Sequence, residues 1–231
     1  MNTLDILPYY EKECTCPVCS GAFTTRKIRS RFARVVKTDS DFAPVYEDKY
    51  NPIYYRVNVC PHCGYSYNDH FNDRLTARDK EIIQVKISDG WNNVDYGHER
   101  TSDHAIATHK LALLSGTLTS EKSLVIGGIC LRLGWLYREI NNQNQERRFL
   151  NHALSEYKKA QNSFEIFEST MSEIRLKYLI GELHRRLHDD EAAIHYFTGV
   201  LKHRDLSSER DVMTLAELQM RELTKESKIA L

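Results

Sequence analysis

Two patterns of apolar and polar positions divide the chain. Over roughly the first 75 residues, β-branched and aromatic residues alternate with polar ones in short runs, notably residues 26–36 and 53–59. Turn-forming Asp39 to Pro44 and Asn51-Pro52 interrupt these runs. Period-two alternation bounded by such turns predicts strands arranged as hairpins. From about Thr76 onward prolines cease and apolar residues recur three and four apart, the spacing of one helix face. The expected fold class is therefore α+β, mainly α. A small β module spans residues 1–75, and a helical domain spans 76–231.

The helical part carries an internal pattern. Ile180-Gly181-Glu182-Leu183-His184 is followed by Asp189-Asp190-Glu191-Ala192-Ala193 and then Phe197 and Val200, which resembles a tetratricopeptide repeat. Small residues at Gly181 and Ala193 would let two helices approach while Phe197 fills the groove between them. Asp189 or Asp190 can cap the second helix. Leu133-Gly134 with Tyr137 repeats the first-helix pattern, and Ala153, Tyr157 and Ala160 the second, across a polar insertion at 141–148. Ala105, His109 and Ala112 give a third second-helix signature, and residues 208–226 read as a terminal capping helix. The alternative is an ordinary helical bundle that tolerates Gly134 and Gly181. His184 and His188 lack the following Glu of a metalloprotease helix, so packing is the expected role of His184.

Charge narrows the function classes. Lys plus Arg (32) equals Asp plus Glu (32), so any attraction to nucleic acid must come from a local patch. No apolar run of about 18 residues is present, which predicts no membrane span and a cytoplasmic protein. Six cysteines in such a compartment point to metal or thiol chemistry rather than a disulfide scaffold.

Their spacing decides between these. Cys16-Pro17-Val18-Cys19 and Cys60-Pro61-His62-Cys63-Gly64 are two C-P-x-C units, each able to wrap one face of a tetrahedral metal. Four thiolates make a closed structural site, so the expected cofactor is one zinc ion, and the β module becomes zinc-ribbon-like. Gly64 supplies a positive φ after the second unit, whereas Ser20 follows the first, whose turn is the less regular of the two. Cys14, two residues before Cys16, is a candidate redox thiol or alternative ligand; His62 and His70 are competing donors.

Arg26, Lys27, Arg29, Arg31, Arg34 and Lys37 form a basic run, with Tyr54, Tyr55, Tyr65 and Tyr67 nearby. Such a set can contact phosphates and stack bases. It can equally be a solvated strand face partly neutralised by Asp39, Asp41, Glu47 and Asp48.

Taken together, the two C-P-x-C units, Arg29-Ser30, Asp41-Phe42, Asn51-Pro52-Ile53-Tyr54-Tyr55 and Val59-Cys60-Pro61-His62-Cys63-Gly64-Tyr65 resemble the bacterial family called domain of unknown function 2225. His109 to Leu114 and Leu131-Arg132-Leu133-Gly134-Trp135-Leu136-Tyr137 fit it as well. The resemblance implies a zinc-knuckle module with tetratricopeptide-like tails and carries over Cys16, Cys19, Cys60 and Cys63 as metal ligands. Cys14 lies outside it. Neither a phosphate-cradling glycine loop nor a nucleophile elbow is present, so no enzyme is expected. The leading expectation is an adaptor that binds a protein or peptide through its helices. The alternatives are a nucleic-acid-binding or regulatory ribbon and a thiol/zinc redox sensor.

Overall fold

The structure, a computed structural model, describes residues 6–47, 50–202 and 209–229. By contacts the chain forms two compact units. The first holds Met1–Thr38, Pro44–Glu121 and Trp135–Gln143, and the second Asp39–Ala43, Lys122–Gly134 and Asn144–Leu231. The division does not run at residue 75, because the two helices that follow it group with the cysteine module.

In the first unit, β1 (Tyr9–Thr15) pairs antiparallel with β2 (Ala22–Ile28), Cys14 facing Phe23, and the first C-P-x-C unit forms their connection. β3 (Val35–Thr38) pairs with β4 (Pro44–Tyr46), and β5 (Asn58–Val59) with β6 (Ser66–Tyr67) across the second C-P-x-C unit. The strand expected over 26–36 is broken. β2 ends at Ile28, and residues Ser30–Phe32 make a 3-10 turn before β3. The strand expected over 53–59 is mostly a second 3-10 turn, Pro52–Tyr55. There the Asn51 side chain accepts the Ile53 N–H, and Pro52 presets the first helical φ. Only Asn58–Val59 remains extended.

The change of period at Thr76 is a helix cap. Thr76 and Asp79 form a reciprocal capping box at the start of α1 (Ala77–Lys86), and Thr101 caps α2 (Ser102–Leu118). α2 packs on β5 and β6, where Ser115 Oγ accepts the Ser66 N–H at 3.2 Å.

The second unit is helical. It takes the first part of α3 (Ser123–Glu139), then α4 (Gln143–Gln161), the 3-10 turn Phe164–Glu168, α5 (Glu173–Arg186), α6 (Asp190–Leu201) and α7 (Arg210–Ile229). The polar insertion expected at 141–148 shrinks to a tight turn. Asn141 takes a left-handed φ of 57° past the end of α3, and Gln143 onward is already helix. Asp189 is the residue that caps α6, accepting the Ala192 N–H, and His188 closes α5 at φ 64°. The expected capping helix corresponds to α7; Ser208 lies outside the described residues. Tyr178, Ala193, Phe197, Val200, Val212, Met213, Ala216 and Leu223 form the core of α5, α6 and α7. No helix among the described residues is long and apolar enough to cross a membrane.

Candidate metal centre

The two C-P-x-C units fold alike. In the first, the Ser20 N–H donates to the Cys16 carbonyl (2.9 Å) and the Cys16 N–H to the Gly21 carbonyl (3.0 Å). In the second, the Gly64 N–H donates to the Cys60 carbonyl (2.9 Å) and the Cys60 N–H to the Tyr65 carbonyl (3.0 Å). Both turns need a left-handed residue directly after the second cysteine: Gly64 at φ 73° and Ser20 at φ 59°. The irregularity expected at Ser20 is thus one of residue type and not of turn geometry. An L-residue there costs roughly 1 kcal/mol, and Ser20 is exposed. Ser20→Gly is therefore expected to raise unfolding stability by up to about 1 kcal/mol in urea titrations, and Ser20→Ala to give no gain.

The turns bring four sulfurs together. Cys16 Sγ lies 3.5 Å from Cys63 Sγ, Cys19 Sγ lies 3.6 Å from Cys60 Sγ, and all four fall within 4.8 Å of one another. A tetrahedral zinc with Zn–S of about 2.3 Å requires S···S edges of about 3.8 Å, so the four residues fit a metal ion of that size. Backbone N–H groups of Val18 and Cys19 favour the thiolate of Cys16, and those of Cys63 and His62 the thiolate of Cys60. Four thiolates this close cannot share one pocket as free anions. The Cys60 thiol is held well below its usual range, first by hydrogen bonds from Cys16 and Cys63, while those to Cys60 and Cys63 push the Cys16 thiol up. Cys16, Cys19, Cys60 and Cys63 would hold a divalent cation here, whose charge would let all four sulfurs ionise in place of the shared protons. Three of the four, Cys16, Cys60 and Cys63, are buried; Cys19 is exposed.

Two residues that spacing did not reveal brace the second turn. Trp91 Nε1 donates to the Pro61 carbonyl at 2.8 Å, and its ring covers Gly64, where a Cβ would come within 2.6 Å of it. Ser88 Oγ donates to the Cys63 carbonyl at 2.9 Å. The one hint in the sequence was an aromatic ring set in a polar stretch.

Other expected donors lie elsewhere. Cys14 is on β1, half-buried, with its thiol directed to the Lys12 carbonyl at 3.9 Å, outside the four-sulfur group. His62 Nε2 lies 3.2 Å from the Ala22 carbonyl, and neither it nor His70 belongs to the group.

The basic run does not form one face. Arg26 Nε donates to Glu11 at 3.0 Å, and Arg34 pairs with Glu47 at 3.3 Å. Asp39 and Asp41 pair with Arg186, and Asp48 lies outside the described residues. Lys27 turns inward, its Nζ donating to the Tyr55 carbonyl and to Asn58 Oδ1. Tyr55 and Tyr65 are buried and offer no face to a base. Burial pulls the Lys27 ammonium from 10.5 down to about 8. Below pH 8 both folded and unfolded chains carry this proton and the folded chain bears the full desolvation cost; above about pH 10.5 neither carries it, so Lys27 destabilises less as pH rises. The stability difference between wild type and Lys27→Met is expected to change by about 3 kcal/mol from pH 7 to pH 11. A pH-independent difference would contradict this assignment.

The repeat-signature residues sit where helices meet. A Cβ at Gly134 would stand 2.7 Å from Leu150 Cδ2 of α4, and one at Gly181 would stand 3.0 Å from the Phe197 ring and Tyr196 Cβ of α6. Ala153, Tyr157, Ala193 and Phe197 are fully buried, and Tyr137 is buried in the first unit. His184 stacks on Tyr196 at 5.5 Å and its Nδ1 lies 2.8 Å from Asp189 Oδ2, a packing role that also anchors the α6 cap.

The chain belongs to the family described as "Uncharacterized protein conserved in bacteria (DUF2225)", whose model matches residues 9–223. It is also similar to an "Uncharacterized protein" of Borreliella burgdorferi, 26% identical over 168 residues, which is 62% of this chain and 58% of that relative. The match thus spans well under two thirds of the relative's length. No solved structure matches the chain.

Proposed function

We propose that this protein is a cytoplasmic, non-catalytic adaptor, held together by one structural zinc ion and binding a protein or peptide through tetratricopeptide-like hairpins. The observation that carries this reading is the pair of glycine crossings, Gly134 on Leu150 and Gly181 on Phe197, with Ala153 and Ala193 buried on the facing helices. Small residues at these points are what the repeat uses to bring its two helices together. Zinc is favoured over other metals by an all-thiolate tetrahedral donor set. Such a closed set leaves no position for a substrate, in keeping with a structural role.

An open depression of about 450 Å³ between the end of α6 and α7 offers a docking place, lined by Leu201, Glu217, Met220, Arg221, Thr224 and Lys225. Its apolar floor and charged rim suit an amphipathic segment. The test is affinity capture with the full chain and with Met220→Glu and Arg221→Glu. A partner retained by wild type and lost by both variants supports the adaptor reading; partners indifferent to both would overturn it.

A further inference from the structure

The turn Asp39–Ala43, which groups with the helical unit, is seated there as a short peptide would be. Its partners lie on one helix: Arg175, Tyr178, Glu182 and Arg186 recur three and four apart along α5 and so share a face. On that face Arg186 Nη2 donates to Asp39 at 2.9 Å, Ser40 Oγ donates to Glu182 at 2.6 Å, and Tyr178 Oη donates to the Ser40 carbonyl at 2.8 Å. Asp41 lies 3.4 Å from Arg186 Nε. The Phe42 ring packs on Tyr178 (5.4 Å between ring centres) and under the Arg175 guanidinium (4.9 Å), against the core of α5, α6 and α7. The backbone of the turn is largely closed on itself, the Asp39 N–H donating to the Ala43 carbonyl and the Phe42 N–H to the Asp39 carbonyl. Side chains therefore carry most of the attachment.

Three observations mark the turn as an occupant of this face rather than as part of its framework. The arms that carry it, β3 and β4, pair with each other across an irregular register, and every residue of β3 is exposed; a two-stranded ribbon is marginal in water by itself, so the docked turn is what holds it. Phe42 is docked at a left-handed φ of 66°, a conformation that an L-aromatic residue leaves when free. The face beneath stays paired without the turn, because Arg185 Nη2 and Arg186 Nε both donate to Glu182, at 2.8 and 2.7 Å. We propose that Asp39–Phe42 is a built-in occupant of a peptide site on α5: the free chain closes the site with its own turn, and a protein partner enters it with a segment of the same chemistry, carboxylates followed closely by an aromatic ring. The partner class follows from the face. Arg186 asks for a carboxylate, Tyr178 Oη for a peptide carbonyl, and Tyr178 with Arg175 for an aromatic ring. The inference rests on the adaptor reading in taking a protein as partner, but its place differs, since the depression between the end of α6 and α7 shares none of these residues.

The test uses the full-length, metal-loaded protein and a fluorescent synthetic peptide with the sequence of residues 37–45. A closed site lowers apparent affinity by the fraction of time it stands open, so the peptide is expected to bind Asp39→Ala with Phe42→Ala about tenfold or more tightly than it binds wild type. Unchanged metal content and far-ultraviolet circular dichroism identify a folded variant, and Phe42→Ala alone, which spares the ion pairs, serves as a second receptor. Replacing Asp39 or Phe42 by Ala in the peptide is expected to weaken its binding about tenfold or more. In native-state hydrogen exchange of wild type, the amides of residues 39–43 are expected to exchange about tenfold or more faster than those of α5, through an opening that leaves the helix protected. A folded variant that binds the peptide no better than wild type overturns the proposal. So does binding indifferent to both replacements in the peptide, or exchange of the turn only together with α5, which would make the turn part of the framework. Met220→Glu and Arg221→Glu leave this binding unchanged, so the α5 site and the depression beside α7 fail separately.

Discussion

Cys60→Ser in the full chain is expected to abolish metal retention and to unfold the cysteine module while leaving the α5–α7 helices formed. Cys60 is fully buried, receives two backbone N–H groups and sits in the turn that pairs β5 with β6. Each sheet of the first unit has only two strands, an arrangement marginally stable in water without further support. Structural zinc contributes an apparent 10 to 16 kcal/mol, roughly, in small domains, as much as the whole stability of a typical fold. A serine hydroxyl does not ionise at neutral pH and cannot replace the thiolate, so most of that contribution is lost. Val57, Val59, Tyr65, Ile83 and Ile87 are buried in the same unit and lose their enclosure as the turn opens. Elemental analysis, near-ultraviolet circular dichroism of Trp91 and hydrogen exchange over residues 50–100 read the effect. A chelator should reproduce it on the wild-type protein, and falling pH should do the same as protons compete for the sulfurs. A variant that keeps wild-type protection over that stretch without metal would show that the cluster is not what holds the module.

Which parts of this arrangement were legible in sequence follows from how far apart the cooperating residues lie. Each C-P-x-C turn is closed by hydrogen bonds within six residues, so its chemistry is written locally, and two copies suffice to indicate a metal. Gly181 and Phe197 meet across adjacent helices joined by a three-residue turn, and their spacing was readable for the same reason. Lys27 was misread because its acceptors, Tyr55 and Asn58, lie 28 and 31 residues away; a lysine in a β-run is otherwise taken for a solvent-facing one. The strand expected over 53–59 failed where Asn51 and Pro52 favoured a capped 3-10 turn over extension. Gln143 to Arg148 looked like a loop because that end of α4 is largely polar and exposed, its first fully buried residue being Phe149. Most distant of all was the role of Asp39 to Ala43, a turn between two strands whose contacts place it with the helices.

That turn gives the second large effect. Arg186→Met is expected to destabilise the helical unit by about 3 to 5 kcal/mol, the cost of breaking a buried ion-pair network from one side. Asp41 and Glu182 are both 0% exposed. Arg186 Nε donates to Glu182 at 2.7 Å and lies 3.4 Å from Asp41, while its Nη2 reaches Asp39 and Ser40 Oγ, each at 2.9 Å. Arg185 makes two further bonds to Glu182, both 2.8 Å, and Ser40 Oγ donates to the same carboxylate at 2.6 Å. Arg186 is thus shared by three carboxylates, Asp39, Asp41 and Glu182, the last of which Arg185 also binds. Removing Arg186 takes a positive charge away from the buried carboxylates of Asp41 and Glu182, in a place water does not reach. Phe42, tilted against Tyr178 at 5.4 Å and covered by Arg175 at 4.9 Å, is held at a left-handed φ of 66° by the same turn, a strain tolerable only while the network fixes the backbone. The charge argument makes a further demand on urea titrations. Asp41→Asn in the Arg186→Met background should recover part of the loss, because it removes a buried negative charge that Arg186 faced without removing the side chain's hydrogen bond to the Ala43 N–H. If the double variant is no more stable than Arg186→Met alone, the cost is one of packing and not of unpaired charge.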